Sequence, residues 1–191
     1  MSEAFATPAS YHAGPWTVDE VLELPDNGMR YELVEERLVV SSVPPPRHQR
    51  AARRLANLLE AEAPAHLESS IEVNLRIGVE LLIPDVVLVM SAALDDAKVV
   101  HCADVHIAAE ILSPGNIKFD RAWKPRRYAE GGIPYYLEVE LDGVGAPRVR
   151  AFELRGMGYV AIGEARAGET LALTEPYDIR FDPAQLAGRR G

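Results

Sequence analysis

Apolar residues recur along this chain in patterns that predict many short strands and few helices. Their helical spacing between Arg47 and Ala63 predicts one long helix, which Pro64 ends. Two continuous apolar runs, residues 86–90 and 105–112, predict strands that are covered on both faces. The pattern as a whole predicts a mixed α/β fold in which strands outnumber helices.

Local turn and capping signals delimit the shorter elements. Thr17 and Glu20 form a capping box, which predicts a short helix that ends by about residue 24. Residues 31–40 predict a β-hairpin with a tight turn near Glu35 and Glu36. A second helix is predicted at 121–130, and further strands at 67–77, 135–141, 149–154, 159–162 and 177–181.

Composition places the chain among ordinary globular proteins. Its 191 residues are 48% apolar and 26% charged, which excludes wholesale disorder, collagen and coiled coil. The single cysteine excludes an internal disulfide and a zinc site built from several cysteines. No apolar run reaches the length of a membrane span, and we expect a cytoplasmic protein. We expect residues 1–15 to be a flexible leader, 16–182 a single domain and 183–191 a flexible tail.

Charge argues against a protein that coats nucleic acid through its overall field, because the formal net charge is -9. Basic residues are nevertheless concentrated in two stretches. The first holds Arg47, Arg50, Arg53 and Arg54, and the second holds Lys118, Arg121, Lys124, Arg126 and Arg127. Each stretch alone is equally typical of a solvated helix face.

Two carboxylates stand at unusual places in the apolar runs. Asp85 opens the first run, and Glu110 lies near the end of the second. If the two strands are antiparallel neighbours, both side chains meet at one edge of the sheet, where paired carboxylates suit Mg²⁺ or Mn²⁺. The alternative is an exposed turn residue at Asp85 and a water-facing strand end at Glu110.

Four further residues are candidates with simpler explanations. Glu32 fits the solvent side of an edge strand, and His48 fits a cap or surface position at the start of the long helix. Pro125 is tolerated only in a first helical turn, so the second helix is expected to start near Lys124. Tyr128 then lies one turn further along the same helix face as Lys124. Taken alone, Lys124 is typical of a lysine on a helix surface.

Five short stretches occur in an informative order. They are Y-E-L-V-E-E-R-L-V-V at 31–40, P-P-P-R-H-Q-R at 44–50, I-P-D-V-V-L-V at 83–89, A-E-I-L-S-P-G at 109–115 and D-R-A-W-K-P-R-R-Y-A-E-G-G-I-P-Y-Y-L-E-V-E at 120–140. In this order they resemble the Uma-type family of putative restriction endonucleases, within the PD-(D/E)XK nuclease superfamily. The resemblance covers roughly 16–182. It implies a restriction-endonuclease-like core, a central mixed β-sheet flanked by helices, with an N-terminal β-hairpin.

The resemblance also implies a set of site residues. Asp85 looks like the aspartate of the family's P-D pair, Glu110 like the second acid and Glu32 like the N-terminal acid. The superfamily usually places a lysine two residues after the second acid, where this chain has Leu112. In the Uma-type family the lysine is thought to have moved to the following helix, and Lys124 occupies that place.

The implied activity is hydrolysis of phosphodiester bonds of DNA by a metal-dependent endonuclease. Asp85, Glu110 and Glu32 would bind Mg²⁺ or Mn²⁺ and would be catalytic together with Lys124. The expected nucleic-acid contacts are His48, Arg47, Arg50, Arg121 and Arg127. Base rates favour a homodimer.

Two alternatives remain open at this stage. The same fold can persist as a catalytically inactive binding or assembly module, which the acidic balance and Leu112 both permit. A glycoside hydrolase that uses two carboxylates as acid and base ranks below it, because nothing in the sequence suggests an aromatic cleft for a sugar and Trp16 and Trp123 are the only tryptophans.

Overall fold

Thirteen strands and three α-helices make up the part of the chain that the computed structural model describes, which is residues 12, 14–95, 98–112 and 122–187. The helices are α1 (Val18–Leu22), α2 (Pro46–Glu60) and α3 (Lys124–Glu130). The strands are β1 (Met29–Val34), β2 (Arg37–Ser42), β3 (Leu67–Ile71), β4 (Leu75–Ile77), β5 (Glu80–Leu82), β6 (Val86–Met90), β7 (Val100–His101), β8 (Val105–Leu112), β9 (Tyr135–Glu140), β10 (Arg148–Arg155), β11 (Gly158–Arg166), β12 (Leu171–Leu173) and β13 (Ile179–Phe181). The predicted mixed fold, rich in strands, is confirmed.

A six-stranded mixed sheet, in the order β11-β10-β9-β8-β6-β3, forms the centre of the molecule. Strands β6 and β8 are antiparallel neighbours, as the sequence required for its two acids to meet, and Val86 pairs with Ala109. Strands β8 and β9 are parallel, and Glu110 pairs with Glu138. The continuous apolar runs of β6 and β8 are buried on both faces, because helices and a second sheet cover them.

The second sheet carries the predicted N-terminal hairpin. It has five strands in the order β2-β1-β5-β4-β7. The turn between β1 and β2 lies at Glu35 and Glu36, where the φ angles are 48° and 61°, as a tight hairpin turn requires. The single strand predicted at 67–77 is wrong, because the chain turns at Glu72 with φ 53° and divides into β3 in one sheet and β4 in the other.

The helices cover the sheets with the residues that the sequence pattern assigned to their apolar faces. Ala51, Leu55 and Leu59 of α2 pack into the core against the six-stranded sheet. The capping box at the start of α1 is present, with Thr17 as N-cap. Helix α3 begins at Lys124 with a proline in its first turn, as predicted.

The C-terminal part of the described chain continues to pack beyond residue 182. Strands β12 and β13 form a two-stranded sheet, and a 3₁₀ turn follows at Pro183–Leu186. Leu186 belongs to the same core cluster as α2. The expected domain limits, with a leader at 1–15, a single domain at 16–182 and a tail at 183–191, stay a prediction.

Candidate active site

Three buried carboxylates come together where β1, β6 and β8 adjoin. Glu32 lies within β1, Asp85 immediately precedes β6, and Glu110 lies within β8. Only 6%, 3% and 1% of these residues is exposed, respectively. Since Val86 pairs with Ala109 in antiparallel register, Asp85 and Glu110 occupy the next facing positions on the two segments. We call these three carboxylates the acidic cluster.

Asp85 is fixed by three different donors. Arg30 Nη1 lies 3.3 Å from its Oδ1, and His48 Nε2 lies 3.1 Å from its Oδ2. The backbone N–H of Ile111 donates to the same Oδ2 at 2.8 Å. A carboxylate with both oxygens engaged by charged and backbone donors is held in a single orientation.

The pKa values of Asp85 and His48 move in opposite directions. Burial opposes ionisation of Asp85, but the hydrogen bond and charge of His48, together with the charges of Lys124 and Arg30, hold the pKa of Asp85 below its usual value. Burial also opposes a charge on His48, but the hydrogen bond and charge of Asp85 and the hydrogen bond to the Ile111 carbonyl together outweigh it and raise the pKa of His48. The pair therefore favours an imidazolium beside a carboxylate.

Lys124 lies between the other two carboxylates. Its Nζ is 3.2 Å from Glu32 Oε1 and 3.1 Å from Glu110 Oε1, and it donates to the carbonyl oxygen of Ile83 at 3.2 Å. Only 4% of the residue is exposed. The lysine that the family resemblance moved to the following helix thus contacts two of the three acids, and Pro125 does not prevent it.

The backbone of Ile83 connects all three acids. Its N–H donates to Glu32 Oε1 at 2.8 Å. Its carbonyl accepts from Lys124 and, at 2.6 Å, from Nη2 of Arg30, which also contacts Asp85. The peptide groups ahead of the P-D pair therefore set the separation of Glu32 from Asp85.

Tyr128 fixes the third carboxylate. It is fully buried, and its hydroxyl donates to Glu110 Oε1, the oxygen that also contacts Lys124. Burial and the neighbouring charge of Glu110 raise the pKa of Tyr128 well above its usual value, so the hydroxyl remains a proton donor. Lys124 and Tyr128 are four residues apart on α3, so two side chains from one helix face contact Glu110.

The donor set fits a hard divalent cation by its chemistry, because carboxylate oxygens are the ligands that Mg²⁺ and Mn²⁺ prefer. Among the described residues, however, no three His, Cys, Asp or Glu side chains are arranged as ligands of one ion. The three carboxylates contact Arg30, His48 and Lys124 instead. The site in this state is already neutralised by the protein's own cations.

A cavity of about 450 Å³ adjoins the acidic cluster. It lies between α1, the hairpin and the turn at Glu72, and Arg30 and Ile83 form part of its wall. Those two residues also contact Asp85 and Lys124, respectively. Arg30 and Ile83 therefore lie between the cavity and the acidic cluster, whose three carboxylates do not line it.

The arginines predicted to contact nucleic acid occupy separate places. Arg47 and Arg50 are exposed at the start of α2, and Arg47 Nη1 contacts Asp142 at 2.6 Å. Arg127 on α3 contacts three acids and is partly exposed. Arg121 lies outside the described residues. His48, which we grouped with these arginines, contacts Asp85 instead of facing solvent, and the nucleic-acid contacts of the set stay a prediction.

Sequence reasoning missed Arg30 and Glu138 and gave no role to Tyr128. Arg30 lies two positions before Glu32 on β1, so strand alternation places both on one face, and this was the available signal. Glu138 is buried on β9, where it pairs in register with Glu110 and forms an ion pair with Arg150. Only the parallel pairing of β8 and β9 brings Glu138 next to the site.

Comparisons with known proteins agree with the fold. A solved structure described as a putative nuclease belonging to DUF820, from Anabaena variabilis ATCC 29413, matches with a TM-score of 0.72 and 15% identity. The match covers 90% of this chain and 97% of that chain, and at this identity it shows the fold. None of the curated proteins matches. Within the described residues no helix has the length and apolar character needed to cross a membrane.

The family is shown by a match over most of the chain. The model of the Uma2 family, described as putative restriction endonuclease, matches residues 18–183. Those residues contain α1, both large sheets and all three members of the acidic cluster. This chain belongs to the Uma2 family of putative restriction endonucleases.

Proposed function

We propose that this protein is a divalent-metal-dependent endonuclease that hydrolyses phosphodiester bonds of DNA. The observation that carries the proposal is the convergence of three buried carboxylates with a buried lysine at one end of β6 and β8. Burying such groups is unfavourable unless they are paired, and proteins that keep them usually use them. Membership of a family of putative endonucleases supports the same reaction.

The acidic cluster supplies the metal site in this proposal. Asp85, Glu110 and Glu32 would hold Mg²⁺ or Mn²⁺. When bound, the ion would polarise a phosphodiester oxygen and lower the pKa of a bound water. Arg30 and His48 keep Asp85 in one orientation, so this ligand needs little reordering before it binds.

The remaining groups act on the substrate and on Glu110. Lys124 carries the positive charge that would offset charge growing on the phosphate in the transition state. Tyr128 holds one oxygen of Glu110 and leaves its orientation fixed. The exposed Arg47 and Arg50 at the start of α2 would contact phosphates further along the strand, with a salt-sensitive contribution to affinity.

The test is nicking of supercoiled plasmid with Mg²⁺ and with Mn²⁺. Asp85→Ala and Lys124→Ala should each abolish nicking, whereas Asp178→Ala, an exposed aspartate between β12 and β13, should leave the rate unchanged. Nicking that survives in both site variants contradicts the proposal. A single-stranded RNA of matched sequence, assayed in parallel, decides which nucleic acid is cleaved.

A second candidate is a catalytically inactive binding or assembly module of the same fold. It is favoured by the contacts of Arg30, His48 and Lys124, which already neutralise the carboxylates without a metal. This candidate predicts no binding of Mg²⁺ or Mn²⁺ at millimolar concentration. Calorimetric titration of the full chain with each ion separates it from the endonuclease.

A further inference from the structure

The ammonium of Lys124 occupies the position that a cation shared by Glu32 and Glu110 would need. Its Nζ contacts one oxygen of each carboxylate, at 3.2 and 3.1 Å, and the carbonyl oxygen of Ile83 at 3.2 Å. An ammonium has three N–H donors, so it can donate to oxygens of both carboxylates and of Ile83. The lysine is therefore held between the two acids.

The position of the ammonium limits where a second cation can bind at this pair. Mg²⁺ binds oxygen at about 2.0–2.1 Å, which is shorter than either contact of the ammonium. An ion that bridged Oε1 of Glu32 and Oε1 of Glu110 from the side where Nζ lies would take the place of the ammonium. On that side of the pair, the ion and the ammonium exclude each other.

Charge leads to the same exclusion. The acidic cluster already has cationic partners, with Arg30 beside Asp85 and Lys124 beside Glu32 and Glu110. Adding two positive charges beside these buried cations is unfavourable, because the surroundings solvate a net charge poorly. Departure of the lysine ammonium removes part of that excess.

We propose that Lys124 is a built-in competitor of the metal ion, which holds the Glu32–Glu110 pair in the resting protein and leaves it when a divalent cation binds. This inference rests on the metal site of the proposed function. The departing ammonium leaves the two carboxylates and is then free to contact the substrate phosphate. Lys124 thus has two states, one that closes the site and one that assists the reaction.

Direct measurement of Mn²⁺ affinity tests the competition. Lys124→Met keeps most of the side-chain volume and removes the charge, so it should tighten Mn²⁺ binding about 10-fold or more if the lysine occupies the pair for most of the time. Arg126→Met removes one charge from the exposed side of the same helix and should change the affinity by less than about 2-fold. Free Mn²⁺ is measured by electron paramagnetic resonance. Equal affinity in wild type and Lys124→Met, or equal tightening in both variants, overturns the proposal.

The wild-type chain offers a second test that needs no variant to fold. The sequence has three lysines, Lys98, Lys118 and Lys124, and mass spectrometry can follow acetylation of each one. Lys124 is buried and Lys98 is exposed. Saturating Mg²⁺ should raise the acetylation rate of Lys124 about 10-fold or more, since a buried amine reacts only from an open state, and should leave Lys98 unchanged. An acetylation rate at Lys124 that does not change when Mg²⁺ is bound overturns the proposal that the ion displaces the ammonium.

The two proposals fail in different ways. Tighter Mn²⁺ binding in Lys124→Met without any nicking by the wild type would uphold the competition and reject the endonuclease. Nicking by the wild type with no gain of affinity in Lys124→Met would uphold the endonuclease and reject the competition. Absence of Mn²⁺ binding in both proteins would reject both.

Discussion

Two clusters of charged side chains contact helix α3, and they differ in how exposed they are to solvent. In the acidic cluster, Lys124 contacts carboxylates that are almost wholly buried. In the second, which we call the Arg127 cluster, Arg127 contacts Glu80, Glu35 and Glu130. The side chain of Glu35 is 65% exposed, and that of Glu130 is 47% exposed. Solvent therefore reaches two of the three partners of Arg127, whereas both carboxylate partners of Lys124 are buried.

The two clusters also differ in how completely their polar atoms are satisfied. Among the described residues, Arg30 Nε and His48 Nδ1 are buried without a hydrogen-bond partner, and both belong to side chains that hold Asp85. An unsatisfied buried nitrogen is unfavourable by about 1–3 kcal/mol. The Arg127 cluster joins the hairpin turn to α3 and uses all three guanidinium nitrogens. The unsatisfied nitrogens therefore belong to the cluster where we propose the metal site, and the arginine with all its nitrogens paired belongs to the Arg127 cluster.

The largest difference should appear when one buried glutamate of each cluster is neutralised. Glu110→Gln removes a proposed metal ligand and should reduce plasmid nicking by about 100-fold or more, because charge at the reacting centre is usually worth that much. Glu80→Gln changes a buried glutamate and should keep the rate within about threefold, since its carboxylate contacts Arg127 and the backbone N–H of Glu35 rather than the acidic cluster. Initial nicking rates at saturating Mn²⁺ give the comparison. Similar losses in both variants would remove the distinction between the clusters.

The next largest difference should appear in the free energies of unfolding of variants at Arg30 and Arg127. Arg30→Met leaves Asp85 buried with one charged neighbour fewer, and the free energy of unfolding should fall by about 3 kcal/mol, as for broken buried ion pairs. Arg127→Met should lower it by about 1 kcal/mol, because two of its three carboxylate partners are solvated. Urea unfolding followed by circular dichroism measures both values. A larger loss for Arg127→Met would mean that the exposed cluster is the main stabilising contact.

Two tyrosines provide a smaller and more specific comparison. Tyr128 donates to Glu110, and Tyr159 donates to the carbonyl of Ile133 at 2.8 Å, away from the acidic cluster. Tyr128→Phe should reduce nicking about 10-fold, as loss of a group that orients a metal ligand does. Tyr159→Phe should reduce stability by about 1 kcal/mol and leave nicking unchanged. Nicking rates and free energies of unfolding, measured for both variants, distinguish a tyrosine that positions Glu110 from one that contributes only to packing. Equal nicking rates in both variants would show that Tyr128 does not position Glu110.

Much of the fold was predictable because its signals are local. The apolar runs of β6 and β8, the capping box at Thr17 and the hairpin turn at Glu35 each depend on a few adjacent residues, and all were found. The failures lie where tertiary pairing decides. Strands of two or three residues such as β5 and β7 carry no periodicity of their own, and the division at Glu72 depends on a backbone turn that its sequence does not mark.

The candidate site was likewise only partly predictable from the sequence. Asp85 and Glu110 were visible as isolated acids in apolar runs, where burial demands an explanation. Their partners were not visible, because Arg30 and Asp85 are 55 residues apart in sequence. The role of His48 was equally hidden, since its contact with Asp85 depends on how α2 packs against β8. The sequence shows that these charged residues are unusual, but only the tertiary structure determines which groups neutralise them.

The smallest expected effect is a pH dependence confined to the acidic cluster. The raised pKa of His48 means that its contact with Asp85 stabilises the fold fully below the unfolded value near 6.5 and loses that effect as pH rises through the folded pKa. The lowered pKa of Asp85 acts at the other end, since its stabilisation is present above about 3.8 and is lost as pH falls through the folded pKa. Wild type should therefore lose more stability than His48→Gln between pH 6 and pH 9, by roughly 1 kcal/mol. Arg127→Met should follow the wild-type profile over that range, because the described contacts of Arg127 include no histidine. Urea midpoints measured across the range decide it, and parallel profiles for wild type and His48→Gln would show that the pKa of His48 does not differ between the folded and unfolded chain.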